Sequence, residues 1–518
     1  MRHGRVLQCL LPLALLFWAG APALPAADWP QLQADAARTG RSADEVAPPY
    51  RARWLWFGPA GTLRNRLSRP GAPGWTNDLT SGPGKSYPLP AQVPFTLAGT
   101  MQPIVHRGRV LVASLEGKVF AIQEEDGATA WEADLPGGSL ATGAAAGEVV
   151  VFASLRGSVH AYHLNNGRPL WTVSTGRAIT GAPCLAGDRL YVANHAGLVC
   201  AMHLESGRVL WQSARLGAAV QGSLAATSNA VYAVAENLKV YRLDARDGTI
   251  TATRQIYGQS FRLQWPVIHA GRLWVRTAPA WCVGSEYVND PLLATATSLA
   301  DEEEKFLLWL EGRAAFGPLS APHDWKSFFA LNLEDLTEPY VIPCGPSEGC
   351  GQPPNPPAVT SRGELVAWWP TRHPALVGRG GAFGTRYFLD LAAVDIATGR
   401  RKPLDAGPPA HVWPMETDNL YALTTGGRFC YWRQRFRGTY AMDLEARRHY
   451  QVQVEVRDRD GGVWSAPVMY VDRRQDGLPR TPSPATAGRV GAAVANGRLY
   501  LCESYGITAV ETAAGSPP

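Results

Sequence analysis

Residues 108–131 read GRVLVASLEGKVFAIQEEDGATAW, residues 147–171 read GEVVVFASLRGSVHAYHLNNGRPLW, and residues 187–211 read GDRLYVANHAGLVCAMHLESGRVLW. The tryptophans that close these stretches, Trp131, Trp171 and Trp211, are spaced 40 residues apart each time. A period of about 40 residues is typical of one four-stranded blade of a β-propeller. The three stretches therefore predict three consecutive blades.

Each repeat divides into strands in the same way. In the first, a turn at Gly108 leads into an apolar strand, a second turn falls at Gly117, and an alternating strand follows. The pair Asp126-Gly127 is typical of a tight hairpin into a fourth strand. That strand carries the tryptophan, so we expect Trp131, Trp171 and Trp211 to pack between neighbouring blades.

Degenerate copies of the second strand follow along the rest of the chain. They begin at Asn229, Gly271, Gly363, Asn419 and Gly497, which brings the number of copies to eight. The last copy lacks a fourth strand, and the segment YRARWLWF (residues 50–57) has the composition to supply one, with Trp54 in the docking position. Such pairing would close the ring and remove its exposed edges. The sequence thus predicts an all-β, eight-bladed propeller, or seven blades if the copies at 363 and 419 merge.

This repeat resembles that of the PQQ-like (pyrroloquinoline-quinone-like) β-propellers, the fold of quinoprotein dehydrogenases and of the outer-membrane assembly scaffold. The opening DWPQ (residues 28–31), followed by ARTG (residues 37–40), is similar to the start of many exported members. The resemblance is closest over residues 100–250. It implies the fold more strongly than any activity.

For the dehydrogenases, the resemblance implies a quinone held on a tryptophan floor, under a disulfide between adjacent cysteines, with Ca²⁺ bound by acidic and amide side chains. The sequence has no Cys-Cys pair, and no Asp or Glu aligns with a catalytic base. Motifs for zinc, haem, phosphate binding and serine hydrolases are also missing. We therefore expect no bound cofactor, no metal and no catalytic residue.

The N-terminus has the features of a secretory signal. Arg2 and Arg5 precede an apolar run from Leu10 to Ala19, and small residues follow it. The run is about half of the ~20 residues that a membrane span needs. We expect a signal peptide over residues 1–27, no transmembrane span, and a periplasmic or extracellular protein. The formal net charge is +5, of which the leader supplies two, and this excess is too small to indicate nucleic-acid binding.

The remaining chain divides into three parts. Residues 28–57 form an N-terminal segment with the closing strand, residues 58–95 an irregular loop, and residues 96–518 the propeller with insertions near 279–326 and 430–487. Within the first insertion, Pro291 to Gly312 has helical composition. Cys344 and Cys350 flank a Gly/Pro loop, and we expect them to form a local disulfide in an oxidising compartment.

The first strands of propeller blades line the central axis, so the residues just before them should approach one mouth of the channel. Amide and indole side chains occupy several of these positions, at Gln102, Gln221, Trp265, Asn355 and Trp413. A neutral polar rim with aromatic platforms is typical of sites for sugars or peptides. We expect an exported, non-catalytic scaffold that binds a protein or glycan partner. The alternatives are a quinone- or metal-dependent oxidoreductase and a carbohydrate-active enzyme with two facing carboxylates.

Overall fold

Eight antiparallel sheets follow one another along the chain as blades of a ring, which confirms the predicted eight-bladed β-propeller. The computed structural model describes residues 27–56, 58–59, 62–64, 75–76, 95–258, 260–277, 292, 298–313, 326–344, 355–371, 388–403, 422–434, 438–457, 463–467, 491–503 and 506–513. The innermost strand of the first blade contacts that of the last, so the ring is closed. Within these residues, no helix is both long and apolar enough to cross a membrane.

The first four blades each contain four strands that run outward from the axis in chain order. Four short strands precede them: β1 (Arg41–Ser42), β2 (Tyr50–Trp56), β3 (Thr62–Arg64) and β4 (Trp75–Thr76). The strands of blades 1 to 4 are β5 (Ile104–His106), β6 (Arg109–Ala113), β7 (Lys118–Gln123), β8 (Thr129–Asp134), β9 (Ala144–Ala146), β10 (Val149–Ala153), β11 (Ser158–His163), β12 (Pro169–Ser174), β13 (Cys184–Ala186), β14 (Arg189–Ala193), β15 (Val199–His203), β16 (Val209–Gln212), β17 (Ala225–Ala226), β18 (Ala230–Ala235), β19 (Lys239–Asp244) and β20 (Ile250–Gln255).

The later blades keep the same order with one addition. Blade 5 has three described strands, and a helix is inserted between its second and third. The elements of this part are β21 (Val267–His269), β22 (Arg272–Arg276), α1 (Leu299–Arg313), β23 (Phe328–Asn332), β24 (Ala358–Val359), β25 (Leu365–Thr371), β26 (Phe388–Val394), β27 (Arg401–Pro403), β28 (Thr424–Gly426), β29 (Phe429–Gln434), β30 (Gly438–Asp443), β31 (Arg448–Gln451), β32 (Gln453–Arg457), β33 (Val463–Pro467), β34 (Ala493–Ala495), β35 (Arg498–Glu503) and β36 (Gly506–Thr512).

The N-terminal strand β2 completes the last blade, as the sequence predicted. It pairs antiparallel with β36, with Tyr50 opposite Thr512 and Trp56 opposite Ile507. The short strand β3 adds to its outer edge. The first and last parts of the described chain therefore form one sheet, in which β36 has a partner strand on both sides.

Repeated tryptophans join the blades. The indole N–H of Trp131 donates a hydrogen bond to the carbonyl oxygen of Leu164 in the next blade, at 2.7 Å. Trp171 and Trp211 make the same contact to the third and fourth blades, at 2.9 and 3.0 Å. Because the glycine of the 3–4 hairpin in blades 2 to 4 lies against the indole of the preceding blade, a side chain there would clash.

The sequence-based register of blade 7 was wrong by one strand. The copy beginning at Asn419 was expected to open with the second strand, whereas β28 at residues 424–426 is the first strand and β29 at residues 429–434 is the second. In blade 1 a glycine turn follows both the first strand, at Gly108, and the second, at Gly117, so the Gly426-Gly427 turn does not distinguish an inner strand from its neighbour. Strands β29 to β31 consequently occupy residues that we had placed at the start of the insertion at 430–487.

Helix α1 confirms the helical composition of the first insertion. Its N-terminus is capped by Ser298, whose Oγ accepts a hydrogen bond from the Asp301 N–H at 3.1 Å. The helix buries Glu302 and Glu303 against Arg401 of blade 6, with an Arg401–Glu302 distance of 3.1 Å. Arg401 also donates its backbone N–H to Glu303. The helix is therefore anchored by buried charge as well as by its apolar face.

A small separate sheet joins two segments that the sequence places far apart. Strands β32 and β33 form a hairpin between blades 7 and 8, and β4 of the N-terminal loop pairs parallel with β32. The predicted loop at 58–95 and the predicted insertion at 430–487 thus contribute strands to the same sheet.

Candidate functional site

The N-terminal segment, residues 28–42, fills the centre of the ring. Trp29 pairs with Val105 of blade 1 and Gln31 with Ala144 of blade 2, each as an isolated bridge. Its backbone carbonyls then accept hydrogen bonds from inner-strand N–H groups of further blades: Ala226, Ile268, Val359 and Thr425. We call residues 28–42 the plug, since they contact inner strands of blades 1 to 7.

Arg38 holds the plug in place without a carboxylate bonded to it. Its Nε donates to the carbonyl of Leu224 at 2.8 Å, and its two terminal nitrogens donate to the carbonyls of Leu32 and Pro183 at 2.8 and 2.9 Å. The side chain is completely buried, and this burial lowers its pKa from the usual value for arginine. Because carbonyls from blades 3 and 4 converge on one guanidinium, they solvate the charge in place of water.

Gln102 anchors the plug and is not part of the channel mouth, in contrast to our prediction. It is fully buried, and its amide oxygen accepts hydrogen bonds from the Trp29 indole at 2.9 Å and the Gln33 N–H at 2.8 Å. Its amide nitrogen donates to the carbonyls of Gly491 and Ala492. These contacts use the full hydrogen-bonding capacity of the side chain, so none is left for a ligand.

Above the plug, a cavity opens at one mouth of the channel. It is small and partly open to solvent, and Leu32 of the plug contributes to its lining. The predicted mouth residues Gln221, Trp265 and Asn355 all line it. The other lining residues are Thr100, Leu140, Ala141, Thr142, Thr180, Ala182, Gly222, Ser223 and Leu263. The sequence thus identified three side chains that the fold brings together.

Every described residue of this lining is uncharged. Its polar groups are amides, hydroxyls and one indole, which bind ligands through neutral hydrogen bonds and ring contacts. Thr180 is held in place, since its hydroxyl donates to the carbonyl of Gln221 at 3.1 Å and contacts Nε2 of His195 at 2.8 Å.

Unsatisfied polar atoms lie beside the cavity. The indole nitrogen of Trp265 and both amide atoms of Gln264 are buried and have no hydrogen-bond partner among the described residues. A buried polar atom without a partner costs about 1–3 kcal/mol. Gln264 is not among the predicted mouth residues, although it directly precedes the Trp265-Pro266 pair.

The cavity does not match the site that the dehydrogenases of this fold would imply. A quinone with Ca²⁺ requires acidic side chains for the metal, and the described lining offers only Asn355 and Gln221 as oxygen-bearing amides. Within the described chain, no three His, Cys, Asp or Glu side chains converge as a metal site. We therefore derive no redox chemistry for this site.

The remaining predicted residues have these positions. Trp413 and Cys350 lie outside the described residues, and Cys344 is buried beside Arg276, so the Cys344–Cys350 disulfide stays a prediction. Trp54 donates its indole N–H to the carbonyl of Glu124 across the closure of the ring.

Comparison with known proteins agrees with the fold. Residues 60–156 and 155–278 match a family model described as outer membrane protein assembly factor BamB. No curated protein matches the chain. The solved structures similar to it include the quinohemoprotein alcohol dehydrogenase of Comamonas testosteroni, at 13% identity and a TM-score of 0.53, with 95% of this chain and 81% of that chain covered.

Two other solved structures are similar in shape. The quinohemoprotein alcohol dehydrogenase ADHIIG of Pseudomonas putida HK5 is 11% identical, with a TM-score of 0.52 and coverage of 95% of this chain and 81% of that one. BamB from Moraxella catarrhalis is 13% identical, with a TM-score of 0.45 and coverage of 82% and 97%. The predicted resemblance to the PQQ-like propellers is confirmed.

Proposed function

We propose that this PQQ-like β-propeller is an exported, non-catalytic scaffold that binds a partner protein at the mouth cavity. The observation that carries the proposal is the uncharged lining of that cavity, in which Trp265 and the amides of Gln221 and Asn355 surround a floor formed by the chain's own plug. Such a lining recognises by shape and neutral hydrogen bonds. The signal-like residues 1–27 support export to the periplasm or the outside of the cell.

The closure of the channel by the plug supports the same function. The plug occupies the axis through bonds to seven blades, so the cavity is a depression in a rigid frame and not a passage. A site of this kind is pre-organised, because its polar groups are held by the inner strands and by contacts such as Thr180–His195. Segments inserted from a partner would displace solvent without rearranging the blades.

Site-specific photo-crosslinking in the producing cell tests the proposal. A photoreactive phenylalanine analogue replaces Leu263, which lines the cavity, and in a matched chain it replaces Val209, which is 40% exposed on the outer strand of blade 3. We expect one defined protein adduct at position 263 and none at 209, and we expect Gln221→Ala to weaken the adduct. Identical adducts at both positions, or none at either, would overturn the proposal.

Two further outcomes identify the alternatives. Binding of the purified chain to oligosaccharides on a glycan array, together with no protein adduct, would favour a glycan ligand. If PQQ and Ca²⁺ added to the chain gave quinone absorbance and dye reduction, the protein would be an oxidoreductase. We expect neither result.

A further inference from the structure

Charge is distributed unequally between the two faces of blades 2 to 4. The mouth face comprises the turns between second and third strands and the loops leading to the next blade, at 154–157, 175–183, 194–198, 213–224, 236–238 and 256–266. These segments contain four arginines and one carboxylate, Glu236. The opposite face comprises the other turns, at 147–148, 164–168, 187–188, 204–208, 227–229 and 245–249, which contain four carboxylates and three arginines.

The mouth-face arginines are available for binding. Their side chains are exposed and form no ion pair within the described chain; they are Arg156, Arg177, Arg215 and Arg262, and we call them the arginine arc. By contrast, the carboxylate of Glu236 is occupied, because its two oxygens accept hydrogen bonds from the Ser260 hydroxyl at 2.8 Å and the Phe261 N–H at 3.2 Å. The positive charge of this face is therefore not neutralised locally.

The arc lies next to the mouth cavity. Arg177 precedes the lining residue Thr180 in one loop, Arg215 precedes Gln221 in the next, and Arg262 adjoins Leu263. The aliphatic stem of Arg156 lies over Gly137 of the preceding loop, where an added side chain would meet it at 2.5 Å. Three of the four cations thus belong to loops that line the neutral cavity, and Arg156 lies on the turn 154–157, which contacts a fourth lining loop.

We propose that the arginine arc and the mouth cavity together bind an acidic polypeptide segment of the partner. This inference rests on the proposed function and specifies the chemistry of the partner. Guanidinium groups pair with carboxylates through two parallel hydrogen bonds, and exposed arginines beside an aromatic surface are typical of protein interfaces. Tyr257, which is 42% exposed in the same loop as Arg262, adds such a surface.

A polypeptide fits these groups better than a compact anion does. The arc comes from four loops of blades 2 to 4, so its charges are distributed along a path around the mouth. Carboxylates spaced along an extended chain can follow that path. The cavity beside it presents amides, which match the donor and acceptor of a peptide group.

The test uses fluorescent peptides of repeating Glu-Gly, Ser-Gly and Lys-Gly with the full-length protein, followed by fluorescence anisotropy. We expect binding of the Glu-Gly peptide alone, with an affinity that falls as salt is raised. The double variant Arg177→Gln/Arg215→Gln should weaken binding roughly three- to tenfold, since exposed charge pairs contribute modestly. The matched control Arg168→Gln/Arg208→Gln removes the same charge from the opposite face and should leave binding unchanged.

Several results would overturn the acidic-peptide inference. One is equal loss of binding in both double variants, and another is equal binding of the three peptides. A third is binding of heparin or of phosphatidylglycerol vesicles without binding of Glu-Gly, which would assign the arc to an acidic glycan or a lipid surface. If the peptide fails while the adduct at position 263 persists, the proposed function stands and only this inference fails.

Discussion

The indole nitrogen of Trp54 lies 2.9 Å from the carbonyl oxygen of Glu124 and donates a hydrogen bond to it, which ties the N-terminal strand to the first blade. The carboxylate of Glu124 takes part in the same junction, because it accepts hydrogen bonds from the Tyr500 hydroxyl and the Asn496 amide of the last blade. One residue of blade 1 therefore binds both segments of the closing sheet.

We expect replacement of Trp54 to weaken ring closure. The side chain is fully buried, so Trp54→Ala should lower the free energy of unfolding by about 3–5 kcal/mol in denaturant titrations. Trp54→Phe retains a ring without the N–H and should lose less, about 1 kcal/mol beyond its change in volume. Equal stability of the Ala variant and the native chain would show that the strand does not hold the ring.

The hairpin glycines provide a matched pair for testing blade contacts. Gly207 has φ of +68° and an added Cβ would lie 2.6 Å from the indole of Trp171, whereas Gly187 has φ of +63° and nothing within 4 Å. At either position, alanine would lower the free energy of unfolding by about 1 kcal/mol, because its backbone would be strained at positive φ. Only Gly207→Ala would lower it by a further amount of about 1–3 kcal/mol, because the added methyl group overpacks the contact with Trp171. Calorimetry should show the lower melting temperature for Gly207→Ala. The same melting temperature for both would contradict this account.

The plug should depend on the geometry of Arg38. Lysine has one ammonium in place of the fork of donors, so Arg38→Lys would leave inner-strand carbonyls without partners. We expect a loss of at least about 3 kcal/mol in unfolding free energy, at about 1–3 kcal/mol for each unsatisfied group. Arg41→Lys, at an exposed position three residues later, is the control and should be neutral. Hydrogen exchange of residues 28–42 would locate the effect.

Buried tyrosines should make the protein sensitive to alkali. Burial raises the pKa of Tyr431 and Tyr500 well above the ordinary value. Unfolded tyrosine ionises near pH 10, so above about that pH the unfolded state binds fewer protons and the free energy of unfolding falls as pH rises. Tyr500→Phe should reduce the slope of stability against pH, while Tyr257→Phe, at an exposed site, should not. Tyrosinate absorbance that rises before unfolding would argue against buried phenols.

Helix α1 should detach when its buried charge is broken. Arg401→Met leaves Glu302 buried without its cation and Glu303 with the half-exposed Arg400 alone, and breaking a buried pair costs about 3–5 kcal/mol. Lys402→Met is the control, because that side chain is 61% exposed and pairs with Asp395 and not with the helix. Hydrogen exchange of residues 299–313 should accelerate in the first variant alone. Protection that survives in Arg401→Met would mean that the apolar face of the helix suffices.

The sequence predicted the parts of the fold that repeat locally. The spacing of Trp131, Trp171 and Trp211 is a local pattern, and the missing fourth strand of the last copy indicated its partner at residues 50–57. Blade 7 was displaced by one strand because a glycine turn follows both the first and the second strand of a blade, so Gly426-Gly427 fits either position.

The plug could not be predicted in this way. Its contacts are made by backbone groups and by carbonyls that are distant in sequence, such as Leu224 with Arg38 and Leu423 with Gln33. The hydrophobic periodicity of the sequence does not indicate such hydrogen bonds. The wrong prediction for Gln102 has the same cause. Its residue type and position are those of a mouth residue, but its amide oxygen accepts hydrogen bonds from Trp29 and Gln33 of the plug.

The pairing of β2 with β36 also has a consequence for the timing of biogenesis. Arg51 and Glu511, which meet across this pairing, are separated by 460 residues. At synthesis rates of ~5–20 residues per second, the ribosome needs roughly 20–90 s to complete the interval. During that time the plug has no closed ring to fill and β2 lacks its partner β36, so we expect the nascent chain to need protection until that last strand is made.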